Sequence, residues 1–191
     1  MLINQLKEQE LSLNICSNMA EQQLILVDEN DNFLGKYAPK SRCHTGDGLH
    51  HRAFTILILN DKKRVLLQKR KHKLWDGYWD LTNSHPLHLK GNDETYEQAA
   101  TRCLKREWGV EFSVKKLFGF NYFAKHGNFC ENEYCAFLLG KYNGEVCPNP
   151  KVAYDYKWMS LDKLLRDIKI NPGSYTPWAI KALGEYEKRF V

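Results

Sequence analysis

Between Asp93 and Trp108 the apolar residues Ala99, Ala100, Cys103 and Leu104 recur at the spacing of one helix face, while the segments on either side are patterned as strands. Thr95 followed by Gln98 is a capping-box pattern, and Gly109 supplies the stop, which fixes this helix at both ends. Before it, strands are predicted at Leu24 to Val27 and, after a turn at Asp28 to Asn32, at Phe33 to Tyr37. Ala53 to Leu59 leads through an Asn60, Asp61, Lys62 turn into Val65 to Gln68, which reads as a hairpin. After the helix come strands at Phe112 to Phe123, Glu131 to Tyr142 and Tyr156 to Met159. Ser160 is placed to cap a helix through Arg166, and Thr176 with Pro177 opens a last one to about Lys188. The chain shows no repeat, low-complexity tract or linker. The expectation is an α/β (α+β) fold, a mixed sheet flanked by helices, in one domain over residues 21 to 191, with residues 1 to 20 as a polar arm outside the core.

The 43% hydrophobic and 13% aromatic content is enough for a sizeable core. No apolar run reaches the eighteen or so residues of a membrane span, because Phe54 to Leu59 is cut short by Asn60, Asp61, Lys62 and Lys63. The start of the chain lacks the basic-then-apolar pattern of an export signal, so a soluble, cytoplasmic protein is expected. Six cysteines without a CxxC pair read as reduced, buried thiols. The net charge of +5 is modest, with a cluster at Lys69, Arg70, Lys71, His72 and Lys73. There is no RNP-type aromatic motif, zinc-finger spacing or long basic helix, so the cluster suits a small phosphorylated substrate better than nucleic acid. A solvated basic loop is the plainer alternative. No pattern fixes an oligomeric state.

Metal-ligand chemistry is spread over three segments. His44 and His51 flank a loop bent at Gly46 and Gly48, and His50 beside His51 leaves open which of the two faces a metal. Glu131 and Glu133 alternate on one strand, so both carboxylates share a face, where they repel unless a cation or a proton lies between them. An outward, solvated edge is the plainer explanation of that pair. Cys135 falls on the same face, and His85 comes from the third segment, before Pro86. Three histidines and two glutamates make an N3O2 set with one octahedral position left for water or substrate.

The segments HTGDGLHHRAF (44 to 54), WDGYWDLTNSHPL (75 to 87), KREWGV (105 to 110), ENEYC (131 to 135) and YTPW (175 to 178) together resemble the type I isopentenyl-diphosphate isomerases, enzymes of the Nudix fold. They occur in the family's order across roughly residues 24 to 185. The resemblance implies a divalent metal at His44, His51, His85, Glu131 and Glu133, where histidine-rich ligation allows zinc or manganese and the carboxylates allow magnesium, and a substrate-associated magnesium near Glu107. It further implies Lys40, Arg70 and Lys73 for the diphosphate, Tyr122 and Glu133 as proton-handling groups, and Trp178 as the aromatic wall. As a first-turn helix residue, Trp178 is equally suited to anchoring the core. WDGYWDL is also similar to the stretch before the box of general Nudix enzymes.

The chain departs from two patterns. Against the hydrolase signature GX5EX7REUXEEXGU, Glu94 and Arg102 are in place, but Cys103 and Arg106 replace glutamates and His88 replaces the glycine, which disfavours ordinary hydrolysis. Against the isomerases, the catalytic cysteine is absent. Fixing Gly77 and His85 places Asn83 at its position, and an amide has no useful pKa for proton transfer. The resemblance thus implies interconversion of isopentenyl and dimethylallyl diphosphate through an altered proton relay. The alternatives are a Nudix diphosphohydrolase on a nucleotide or prenyl diphosphate, and a non-catalytic prenyl-diphosphate-binding protein.

Overall fold

The computed structural model describes residues 21–191, so the arm expected over residues 1 to 20, with Cys16, lies outside the described residues. Strands β1 (Gln23–Val27) and β2 (Phe33–Pro39) pair antiparallel around a turn in which the Asp28 carboxylate accepts from the backbone N–H groups of Asn30 and Asn32. A four-residue helix α1 (Lys40–Cys43) then leads to β3 (His51–Leu59), the centre of the main sheet. β3 runs parallel to β10 (Phe129–Lys141), and β10 pairs antiparallel with β9 (Val114–His126).

Helices cover both faces of β3, which is why it reads as a continuous apolar run rather than an alternation. Phe54, Ile56 and Ile58 pack with Ala99, Ala100, Cys103 and Leu104 of helix α2 (Tyr96–Trp108). Leu57 faces the other way, into a core shared with helices α3 (Leu161–Ile170) and α4 (Pro177–Phe190). The α2 capping box forms as expected: the Gln98 N–H donates to Thr95 Oγ1 at 3.2 Å and the Thr95 N–H donates to Gln98 Oε1 at 2.9 Å. Gly109 closes the helix at φ 67°. Ser160 and Thr176 start α3 and α4 without side-chain capping bonds, contrary to expectation. The Thr176 hydroxyl instead donates 2.7 Å to Asp80.

The expected hairpin is corrected. β3 and β4 (Arg64–Arg70) pair only at Leu59 and Val65 and then diverge. β3 takes β6 (Thr82–Ser84) as its neighbour, while β4 pairs with β5 (Trp79–Asp80) and β11 (Ala153–Ser160). The wedge so opened admits the segment from Trp79 to His85 to the interior. β7 (Leu87–Leu89) and β8 (Asn92–Asp93) extend a smaller sheet from β1.

Cys43, Cys103, Cys130 and Cys135 are buried free thiols, whereas Cys147 is exposed, unlike the expectation for all six. Among the described residues no helix is long and apolar enough to cross a membrane.

Candidate active site

The loop from His44 to His51 is tied to the start of β10. The Cys130 N–H donates to the His44 carbonyl at 3.1 Å, and the Gly46 N–H donates to that of Asn128 at 2.9 Å. Gly48, at φ 62°, must lack a side chain, since a Cβ there would lie 2.4 Å from the Cys43 carbonyl oxygen and 2.5 Å from Cys130 Sγ. His51 opens β3 opposite Glu133 of β10, and strand alternation turns His50 away, to Val27 and Asn121. His51 is therefore the residue that faces the cluster.

His44, His51, His85 and Glu133 bring one ligand atom each to within 4.8 Å of one another. His85 Nε2 is 2.9 Å and His51 Nε2 3.4 Å from Glu133 Oε1. Glu131 joins through His44, with Nε2 to Oε2 at 3.2 Å. Both glutamates are buried, which rules out the solvated-edge reading.

Burial, helped by neighbouring histidines, pulls the His44 pKa down to about 2, and burial pulls that of His85 to about 3, so both imidazoles are neutral. His51 Nδ1 lies 2.7 Å from the Leu49 carbonyl, to which it donates, and this contact orients Nε2 toward Glu133. The buried His51 Nε2 and His44 Nδ1 have no hydrogen-bond partner. Burial opposes the Glu133 charge, but the adjoining His51 and His85 hold its carboxyl well below the ordinary range. Burial and the Glu133 charge push that of Glu131 well up. Three imidazoles and two carboxylates buried together, with His51 Nε2 aimed at Glu133 and left without a hydrogen-bond partner, suit a divalent cation, so the residues present fit a metal.

This cluster forms one end of a cavity of about 260 Å³. Among the cations that line it are Lys40 of α1, Arg70 of β4, with Lys71 just after it, and Arg106 of α2. Arg70 is held by the Leu74 carbonyl (2.9 Å), the Asp80 carboxylate (3.1 Å) and His72 Nδ1 (3.3 Å). Lys73 is not in this group; it lies over the Phe129 ring beside an adjoining hollow. Glu107 is buried at the cavity, and its two oxygens accept from Gln68 (3.2 Å) and Arg106 (2.6 Å).

Tyr122 stands opposite Glu133 in the β9–β10 register, and its hydroxyl donates to Glu133 Oε2. Burial and the Glu133 charge raise the Tyr122 pKa well above its usual value, which keeps the phenol protonated. Asn83 of β6 also reaches the cavity, its amide donating to Asp80 (2.7 Å) and the Leu81 carbonyl (3.0 Å). Cys135, two residues beyond Glu133 on β10, lines the cavity, whereas Cys43 does not. Trp178 is both things the sequence allowed: it is buried against Trp75, edge-on at 5.0 Å, and it forms cavity wall.

Two residues escaped sequence reasoning. Arg106 registered only as a departure from the hydrolase pattern, yet it brings a guanidinium into the cavity. Asp80 carried a signal only as part of WDGYWDL; it is fully buried and accepts from Arg70, Asn83, Thr176 and Trp178.

The family model described as the NUDIX domain matches residues 49–179. Isopentenyl-diphosphate Delta-isomerase 2 of Aromatoleum aromaticum is 36% identical over 167 residues, covering 85% of each chain. Isopentenyl-diphosphate Delta-isomerase of Klebsiella pneumoniae is 35% identical over 171 residues, covering 85% of this chain and 89% of that one. Among solved structures, a Deinococcus radiodurans protein superposes with TM-score 0.63 at 17% identity, covering 84% of this chain and 96% of the other. The MutT protein of Methanosarcina mazei superposes with TM-score 0.58 at 16% identity, covering 73% and 94%. These structural likenesses concern the fold.

Proposed function

The chain belongs to the Nudix superfamily and, within it, to the isopentenyl-diphosphate isomerases, and on that premise we propose that it interconverts isopentenyl and dimethylallyl diphosphate in the cavity walled by Glu133, Tyr122, Asn83 and Trp178. One observation carries the reading: a hydrogen-bonded acid–base pair, Tyr122 and Glu133, opens into the same cavity as Lys40, Arg70 and Arg106.

Lys40, Arg70 and Arg106 take the diphosphate, whose charge they neutralise in a partly enclosed site. The alkenyl end then lies toward Glu133, Tyr122 and Trp178. The Tyr122–Glu133 pair gives a proton to the terminal alkene carbon, and positive charge develops on the tertiary carbon. The π face of Trp178 stabilises that charge by about 0.5–2 kcal/mol. The pair takes a proton back from the carbon on the other side of the tertiary centre, so it ends in its starting protonation state. The Asn83 amide holds substrate position and transfers no proton. Both transfers then occur on one face of the substrate.

A zinc or manganese ion at His44, His51, His85, Glu131 and Glu133, with magnesium at Glu107 and the diphosphate, would supply positive charge that sets the carboxylates and screens the phosphates. The small-molecule diphosphate is the only partner this reading requires.

Metal-loaded protein incubated with isopentenyl diphosphate in D2O should incorporate deuterium by NMR, and Glu133→Gln should abolish it. No exchange above that variant sinks the isomerase reading. Release of inorganic phosphate or pyrophosphate from the same samples would instead mark a hydrolase, and tight binding with neither product a non-catalytic protein.

A further inference from the structure

Asp80 has no part in the proton chemistry, yet its carboxylate lies entirely inside the protein and collects four donors. A buried charge with so many partners is normally explained as a staple for the fold. The two oxygens, however, serve different structures. Oδ1 accepts from Thr176 (2.7 Å) and Trp178 Nε1 (2.9 Å), at the start of α4. Oδ2 accepts from Arg70 Nη1 (3.1 Å) of β4 and Asn83 Nδ2 (2.7 Å) of β6. The first oxygen ties the helix to the sheet; the second is committed wholly to two side chains that line the cavity.

Arg70 has two further fixed points, the Leu74 carbonyl and His72 Nδ1, and its guanidinium carbon lies 5.0 Å from the centre of the Trp178 ring. One carboxylate therefore sets a cation, the amide at the position of the missing thiol, and the aromatic wall against one another, although they come from three separate elements.

We propose that Asp80 is a positioning residue: through Oδ2 it presents the Arg70 guanidinium and the Asn83 amide to the diphosphate ester, while Oδ1 keeps Trp178 in register with them. This rests on the reading of the cavity as a diphosphate site. In Asp80→Asn one oxygen remains for Thr176 and Trp178, and the new NH2 group meets the donors of Arg70 and Asn83, so the helix staple survives while the cavity side is released.

The test is a double-mutant cycle on inorganic pyrophosphate binding by calorimetry, with wild type, Asp80→Asn, Arg70→Ala and both together. The expected result is at least a tenfold weaker Kd for Asp80→Asn and, when it is added to Arg70→Ala, a further loss clearly smaller than it causes alone, since only Asn83 is then left to release. Asp80→Glu, which keeps the charge, should recover part of the loss. Additive effects, or a Kd for Asp80→Asn within twofold of wild type, reduce Asp80 to a fold staple and overturn the proposal. Absence of pyrophosphate binding by wild type overturns it as well. If Asp80→Asn does not fold, Thr176→Val provides the control: it loosens only the Oδ1 side, so the proposal requires its pyrophosphate Kd to stay within threefold of wild type. A larger loss there counts against the division of labour. Deuterium exchange is read separately, so failure of the isomerase reading leaves the coupling between Asp80 and Arg70 measurable.

Discussion

At the residue scale the cavity depends on where charge is tolerated. Burial raises the Asp80 pKa to about 6, against the opposing pull of Arg70 and the hydrogen bonds from Thr176, Asn83 and Trp178. Between the unfolded value near 3.8 and the folded value the native state therefore holds a proton that the unfolded chain has lost. Stability should fall as pH rises through that window, by about 3 kcal/mol at most from this group. Urea unfolding of wild type and Asp80→Asn from pH 4 to pH 7 isolates the effect, which should be present only in wild type. Arg106 supplies the second residue-level expectation. Replacing it by alanine removes one cavity cation and leaves Glu107 bonded to Gln68 alone, so pyrophosphate binding should weaken by about 1.5–3 kcal/mol. Calorimetry reads it directly; unchanged binding would remove Arg106 from the diphosphate cradle.

The loop between α1 and β3 shows how an element's geometry makes the site. Gly46 and Gly48 both have positive φ, but only Gly48 has atoms where a side chain would go. Gly46→Ala should cost about 1 kcal/mol of backbone strain. Gly48→Ala adds the collision with Cys43 and Cys130 and should cost roughly 3 kcal/mol or more. It should also shift His44 away from Glu131 and weaken zinc or manganese binding, which Gly46→Ala should spare. The capping box and glycine stop of α2 were legible because they depend on residues three or four positions apart. The divergence of β3 from β4 was not, since their apolar patterns and intervening turn are those of an ordinary hairpin, and only the competing partners β6, β10 and β11 pull them apart.

For the whole molecule, a metal that binds only the folded chain should stabilise it by about 2.7 kcal/mol at a concentration one hundred times its Kd. Thermal unfolding with zinc or manganese should rise accordingly in wild type and barely move in His51→Ala, whose side chain is fully buried in the cluster. The sequence by itself determined what local periodicity can carry: the apolar run of β3, the face shared by Glu131, Glu133 and Cys135, the α2 helix with both its ends, and, through resemblance, the order of the site segments. Only the tertiary structure decided which of His50 and His51 turns inward, because that follows from the parallel register of His51 with Glu133. It also decided that Lys73 stands apart, that Arg106 enters the cavity, and that Asp80 binds Thr176 and Trp178 across separations of 96 and 98 residues. Contacts between such distant segments leave no period in the chain, and they exist only once the opening between β3 and β4 has brought those segments together.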